Sequence, residues 1–151
     1  MNNSRRVALK TTGAFATLVS LGVITQGQAQ AAVERAGFEV KTLADALKAV
    51  GGTPANSDQV TVVAPDIAEN GAVVPVGAAS KLPNTTEIYL LVEKNPMPLS
   101  AGFIIPAGTA PEVQTRLKMG QSSNVIAIVK ADGKLYSATK ETKVTLGGCG
   151  G

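Results

Sequence analysis

The sequence predicts a mainly β protein: an immunoglobulin-like antiparallel β-sandwich with a short N-terminal helix and a flexible C-terminal arm. Three observations lead there. From residue 58 onward, short β-branched runs alternate with Pro, Gly and Asn at the spacing of a many-stranded sandwich. Helical periodicity is confined to one stretch within residues 33–50. The chain closes on Gly147-Gly148-Cys149-Gly150-Gly151, where four glycines in five residues cannot pack and are costly to order. A length of 151 residues suits one domain with short appendages.

Residues 1–31 read as an export signal, with a basic start, a mildly apolar stretch from Ala14 to Ile24, and the small-x-small sequence Ala29-Gln30-Ala31 before the expected mature start near Ala32. The segment is too short and too weakly apolar to span a membrane. Ser4-Arg5-Arg6-Val7-Ala8-Leu9-Lys10 resembles the twin-arginine export motif S-R-R-x-F-L-K, with Ala8 where Phe is usual. The expected location is therefore the periplasm. Net charge is +3, but removing residues 1–31 leaves 11 basic against 11 acidic residues. The basic balance thus belongs to the signal, and no nucleic-acid or membrane-anchoring patch is expected of the remainder.

Residues 32–146 form the predicted domain. Val40, Leu43, Leu47 and Val50 fall at helical spacing, Thr42-x-x-Asp45 offers a start, and Gly51-Gly52 a stop. This helix is expected to cover a face or edge. Strands are predicted at Gln59–Ala64, Ala72–Gly77, Glu87–Glu93, Leu99–Ile105, Val113–Met119, Asn124–Lys130, Lys134–Lys140 and Lys143–Leu146, with Asp132-Gly133 as a tight hairpin turn. Pro75 cannot donate to a ladder, so its strand is expected at an edge or at a bulge. With Phe38, Tyr89, Phe103 and Tyr136 as its only aromatics, the domain must build its core from Val, Ile, Leu and Ala.

Composition removes most chemistries. The chain has no histidine and one cysteine, so it can form no imidazole-based triad, disulfide framework, thiolate zinc cage or CxxC pair. No cofactor and no metal are expected, and the chain is not expected to be an enzyme. Export in a folded state then points to a bound partner subunit, and the open edges of a sandwich supply a place for one. Asp66, Glu69 and Asn70 miss the alternating ligand pattern of a calcium loop and read as a turn. Asn84-Thr85-Thr86 is a glycosylation sequon only in a eukaryotic secretory setting.

What chemistry remains sits on the arm, residues 147–151. Three residues beyond Leu146 reach roughly 10 Å, which carries the Cys149 sulfur clear of the domain. With glycine on both sides, only backbone and sulfur need enter a narrow site. No base is adjacent, the terminal carboxylate disfavours the thiolate, and only Lys140 and Lys143 could offset it. The thiol is fit to be modified by others rather than to catalyse.

The tail, Pro65-Asp66-Ile67-Ala68-Glu69-Asn70-Gly71-Ala72-Val73-Val74-Pro75-Val76 and Glu93-Lys94-Asn95-Pro96-Met97-Pro98-Leu99 together resemble the SoxY family of sulfur carriers in periplasmic thiosulfate oxidation. The resemblance implies that Cys149 is the covalent attachment point for sulfur intermediates, with Gly147, Gly148, Gly150 and Gly151 as its swinging arm. It also implies a heterodimer with a SoxZ-type subunit. The implied enzyme partners are a c-type cytochrome that loads thiosulfate, a metal-dependent sulfohydrolase and, where present, a sulfur dehydrogenase. The alternative is a structural or adhesive immunoglobulin-like domain joined to a second copy by a disulfide through Cys149. A ubiquitin-like carrier holding sulfur on its terminal carboxylate would need ATP-dependent activation in the cytoplasm, which the export signal contradicts.

Overall fold

The computed structural model describes residues 37–145. Arg5, Arg6, the rest of the predicted signal, Leu146, and the tail with Cys149 lie outside the described residues. The first described element is a 3-10 turn at Gly37–Glu39, followed by helix α1, Leu43–Ala49. Thr42 caps the helix: its hydroxyl accepts from the Asp45 amide at 3.1 Å and donates to the Asp45 carboxylate at 2.7 Å. Asp45 also meets Lys48 at 3.2 Å. Hydrogen bonds from the Thr42 hydroxyl and then Lys48, followed by the Lys48 charge, hold the Asp45 carboxyl below its ordinary range. At the other end the Gly51 amide bonds the Lys48 carbonyl and the Gly52 amide the Leu47 carbonyl, with φ of 121° and 127°. That pattern closes the last turn, and glycine supplies the positive φ.

Among the described residues nine strands follow: β1 (Ala55–Asn56), β2 (Val60–Val63), β3 (Ile67–Ala68), β4 (Val74–Ser80), β5 (Thr85–Val92), β6 (Leu99–Ile104), β7 (Glu112–Leu117), β8 (Ser123–Ala131) and β9 (Lys134–Val144). They build two sheets. The larger has the order β1-β9-β8-β5-β6, with β3 also on β9, and the smaller has the order β2-β4-β7. The architecture is therefore the mainly β, two-sheet arrangement the sequence predicts.

β5 and β8 bury side chains on both faces, and the alternation decides which neighbour each one meets. Ile88, Leu90, Val92, Val125, Ala127 and Val129 point toward the smaller sheet, where Val60, Val74, Val76, Ala78 and Leu117 complete the main core. Leu91 and Ile128 point the other way and pack under α1 against Ala46 and Val50. The helix is thus a cover for a sheet face. Each fully buried Val, Leu or Ile side chain contributes roughly 1.5–3 kcal/mol. The core is built from Val, Ile, Leu and Ala, with Met119 added at 1% exposure.

Four features differ from the sequence reading. The predicted strands Lys134–Lys140 and Lys143–Leu146 are one strand through Val144, and within the predicted gap Thr142 is fully buried with its hydroxyl donating to the Pro65 carbonyl at 2.9 Å. The strand of Pro75 is central rather than at an edge, and its register with β7 runs unbroken without a bulge. Proline is tolerated there because β2 pairs only Gly77–Ser80, so Pro75 has a ladder neighbour on one side alone. The sheet is not wholly antiparallel, since β1 and β3 both pair parallel to β9. Both strands are two residues long and have no counterpart in the prediction. The Asp132-Gly133 turn is as expected, with φ of 49° and 71° at the two central positions.

Candidate functional site

Since the predicted attachment residue Cys149 lies beyond the described chain, the site that can be built from residues is the place where the arm would begin. That place is the end of β9, and the structure holds it from two sides. On one side, the segment after β2 runs beside it. The Lys140 ammonium donates to the Ala64 carbonyl at 2.6 Å and pairs with Asp66 at 3.1 Å. The Lys143 amide bonds the Asp66 carbonyl at 2.9 Å, and the Thr145 amide the Ala68 carbonyl at 3.1 Å. β3 gives the register Ile67 opposite Lys143 and Ala68 opposite Val144.

On the other side β8 stops short, its last pair being Ser123 with Thr142. The Ser122 hydroxyl takes over, accepting from the Val144 amide at 2.8 Å and donating to the Val144 carbonyl at 3.5 Å. Behind it, Gly71 closes the corner: its carbonyl accepts from the Met119 amide at 2.7 Å. A Cβ at Gly71 would lie 2.4 Å from the Met119 carbonyl oxygen and 2.9 Å from Val144 Cγ1. Only glycine fits so close an approach.

The loop carrying Met119 and Ser122 is itself pinned by the turn after β5. The Asn95 amide group donates to the Lys118 carbonyl at 2.7 Å, and its oxygen accepts from the Gly120 amide at 3.3 Å. The Lys94 amide donates to the Ser123 hydroxyl at 3.0 Å, and Asn124 donates to the Glu93 carboxylate at 2.8 Å. The two internal motifs of the sequence, Pro65–Val76 and Glu93–Leu99, therefore converge on one place. The first lies along the end of β9, and the second holds the loop that completes its other side.

Of the charged groups expected near the thiol, Lys140 is engaged with Ala64 and Asp66, so its role is in fastening the strand. Asp66, Glu69 and Asn70 are not gathered on a common point. Asp66 pairs with Lys140, and the Asn70 side chain accepts from the Ala72 amide at 2.9 Å as a local turn does. Among the described residues, no group of three His, Cys, Asp or Glu side chains could hold a metal. No described helix is long and apolar enough to cross a membrane. An open groove of about 720 Å³ between the end of β2 and β7 is lined by Val63, Pro65, Pro75, Gln114 and Arg116, with Arg116 its single charged lining residue among those described. None of these arrangements is a catalytic constellation. What the geometry supplies is a firm anchorage for the end of β9.

Sequence reasoning quoted Gly71 and Asn95 inside the two motifs but gave them no role, and it missed Ser122 altogether. Nothing local marks Ser122, because its partner lies 22 residues away in sequence.

Comparison with known proteins extends this description. A family model described as "Sulfur oxidation protein SoxY" matches residues 46–149. No curated protein sequence matches the chain. Among solved structures, the sulfur carrier protein SoxY from Chlorobium limicola f. thiosulfatophilum is similar at 39% identity and a TM-score of 0.62, covering 70% of this chain and 97% of that one. The superoxide reductase (neelaredoxin) from Ignicoccus hospitalis is similar at 21% identity and a TM-score of 0.51, covering 58% of this chain and 80% of that one. The second likeness is one of fold alone.

Proposed function

The chain belongs to the SoxY family of sulfur oxidation proteins, and from that premise we propose that it carries its sulfur covalently on Cys149. It is a carrier subunit, with the chemistry supplied by partners. In the loading step the Cys149 thiol and thiosulfate form a sulfur–sulfur bond, losing one proton and two electrons, and the electrons pass to a c-type cytochrome. Water then cleaves the bond to the sulfonate group in a metal-dependent sulfohydrolase. Sulfate and a proton leave, and a persulfide remains on Cys149. A sulfur dehydrogenase, where present, oxidises that sulfur further.

The observation that carries this reading is the anchorage of β9. A substrate-bearing thiol that visits several enzymes needs a chain end free to enter them and a fixed point from which to swing. Residues 143–145, with three successive backbone amides bonded, supply the fixed point, and Gly147, Gly148, Gly150 and Gly151 supply side-chain-free backbone around the sulfur. The absence of histidine agrees with chemistry that resides elsewhere.

The proposed setting is the periplasm, reached through the Arg5-Arg6 signal, in a heterodimer with a SoxZ-type subunit. The edges at β6 and β7, unpaired among the described strands, support a partner there. The test is mass spectrometry of the tryptic peptide Val144–Gly151 from cells growing on thiosulfate. Thiosulfonate and persulfide masses on Cys149 are the expected result, and a bare thiol under those conditions would overturn the reading.

A further inference from the structure

The hydrogen bonds of β5 fix which way each residue of β6 faces. The Glu93 amide bonds the Asn124 carbonyl at 3.0 Å, so in this register the odd-numbered residues of β5 bond to β8 and the even-numbered ones to β6. The Ile105 amide on the Thr86 carbonyl at 2.8 Å agrees. Ala101 and Phe103, opposite Leu90 and Ile88, therefore direct their backbone groups to β5. Gly102 and Ile104 turn theirs outward, where no described strand lies. This regular run has two bounds: the register shift that skips Ser100, and Pro106, which has no N–H. Phe103 is its midpoint.

The side chains follow the same symmetry. Gly102 and Ile104 share the face that carries α1, and Phe103 lies on the core face. Ile104 is 76% exposed. Gly102 is bare, and two rings close in beside it: a Cβ there would lie 3.1 Å from Tyr89 Cδ1 and 3.5 Å from Phe38 Cζ. Residues 99–105 hold no charge, whereas β7, the edge of the smaller sheet, carries Glu112 and Arg116. Charges and proline keep an edge from pairing with a further strand, and β6 has neither between its bounds. We infer that β6 docks on β6 of a second copy of this chain, antiparallel, about a twofold axis through Phe103. Gly102 then faces Ile104 of the partner subunit, and each such rung bonds amide to carbonyl in both directions, as an isologous contact requires. The exposed isoleucine of each copy rests beside the bare glycine of the other, against Tyr89 and Phe38. The two Phe103 side chains meet as a closely spaced cross-strand pair.

The test uses the full chain with Cys149→Ser, which removes disulfide dimers through the native thiol. Sedimentation is expected to give twice the chain mass. Ile104→Pro deletes an outward N–H without touching a bond to β5, and should weaken the dimer about tenfold or more. Gln114→Pro is the control at the other edge. The Ser80 amide on the Pro111 carbonyl puts the Gln114 amide outward on β7 by the same alternation, and its loss should leave the mass unchanged. If either proline variant fails to fold by circular dichroism, Ile104→Lys and Gln114→Lys make the same comparison, since lysine guards an edge without removing a donor. Phe103→Cys reads the register: its facing Cα atoms, at about 4.5 Å, are within disulfide range, so mild oxidation should join the two copies. Ala101→Cys should not cross-link. A chain that stays monomeric at millimolar concentration would overturn the proposal. So would a dimer dissolved by the β7 variants and not by the β6 ones, or cross-linking through Ala101 in place of Phe103. None of these readings involves sulfur loading, so their outcome stands apart from the carrier proposal.

Discussion

At the scale of single residues, the two most informative positions do opposite work. On the carrier proposal, Cys149→Ser should abolish sulfur loading while leaving stability within about 0.5 kcal/mol. A substantially lower melting temperature would mean the cysteine belongs to the fold. Gly71→Ala should do the reverse. Its new Cβ would press on the Met119 carbonyl and on Val144, and such overpacking costs roughly 1–3 kcal/mol. Urea unfolding should show that loss, and thiol content should be unchanged. Equal stability for Gly71→Ala and wild type would mean that this corner yields easily.

At the scale of elements, legibility followed the range of the interactions. The turn at Asp132-Gly133 and the stop at Gly51-Gly52 depend on the residues' own backbone freedom, so they could be read directly. β1 and β3 could not, since two residues make no periodicity and their pairing is with a strand about 80 residues on. Continuity of β9 through Thr142 could not be read, because the burial of that threonine is intelligible only once Pro65 is placed beside it. The reading of the cysteine and its glycines as a carrier arm concerns residues outside those described, and the bonding at the end of β9 was not legible, because Ser122 and Asn95 act through partners distant in sequence. Two predictions belong at this scale. Replacing Gly147 and Gly148 with valine should impair turnover by more than one partner enzyme, since β-branched side chains stiffen and widen the tail; equal rates with every partner would count against threading. In α1 the depressed Asp45 carboxyl supports the helix above its ordinary titration range. The support is lost as pH falls through the lower folded value, so Asp45→Asn should flatten the acid limb of helix stability followed by NMR, and an unchanged limb would contradict the capping role.

At the scale of the molecule, a chain with open edges at β6 and β7 and one cysteine should associate in two separable ways. Without the proposed SoxZ-type subunit it should form disulfide-linked dimers through Cys149 and, after reduction, still self-associate through its edges. Adding the SoxZ-type subunit should replace the second association with a one-to-one complex. Light scattering with and without reductant distinguishes them, and a reduced chain that stays monomeric and ignores that subunit would refute the heterodimer. The course of β9 has a mechanical consequence as well. Its hydrogen bonds to β8, β1 and β3 run across the strand. Tension applied at Thr145 along the strand axis would load those bonds together in shear instead of unzipping them one at a time. A domain held by that strand is built to bear tension.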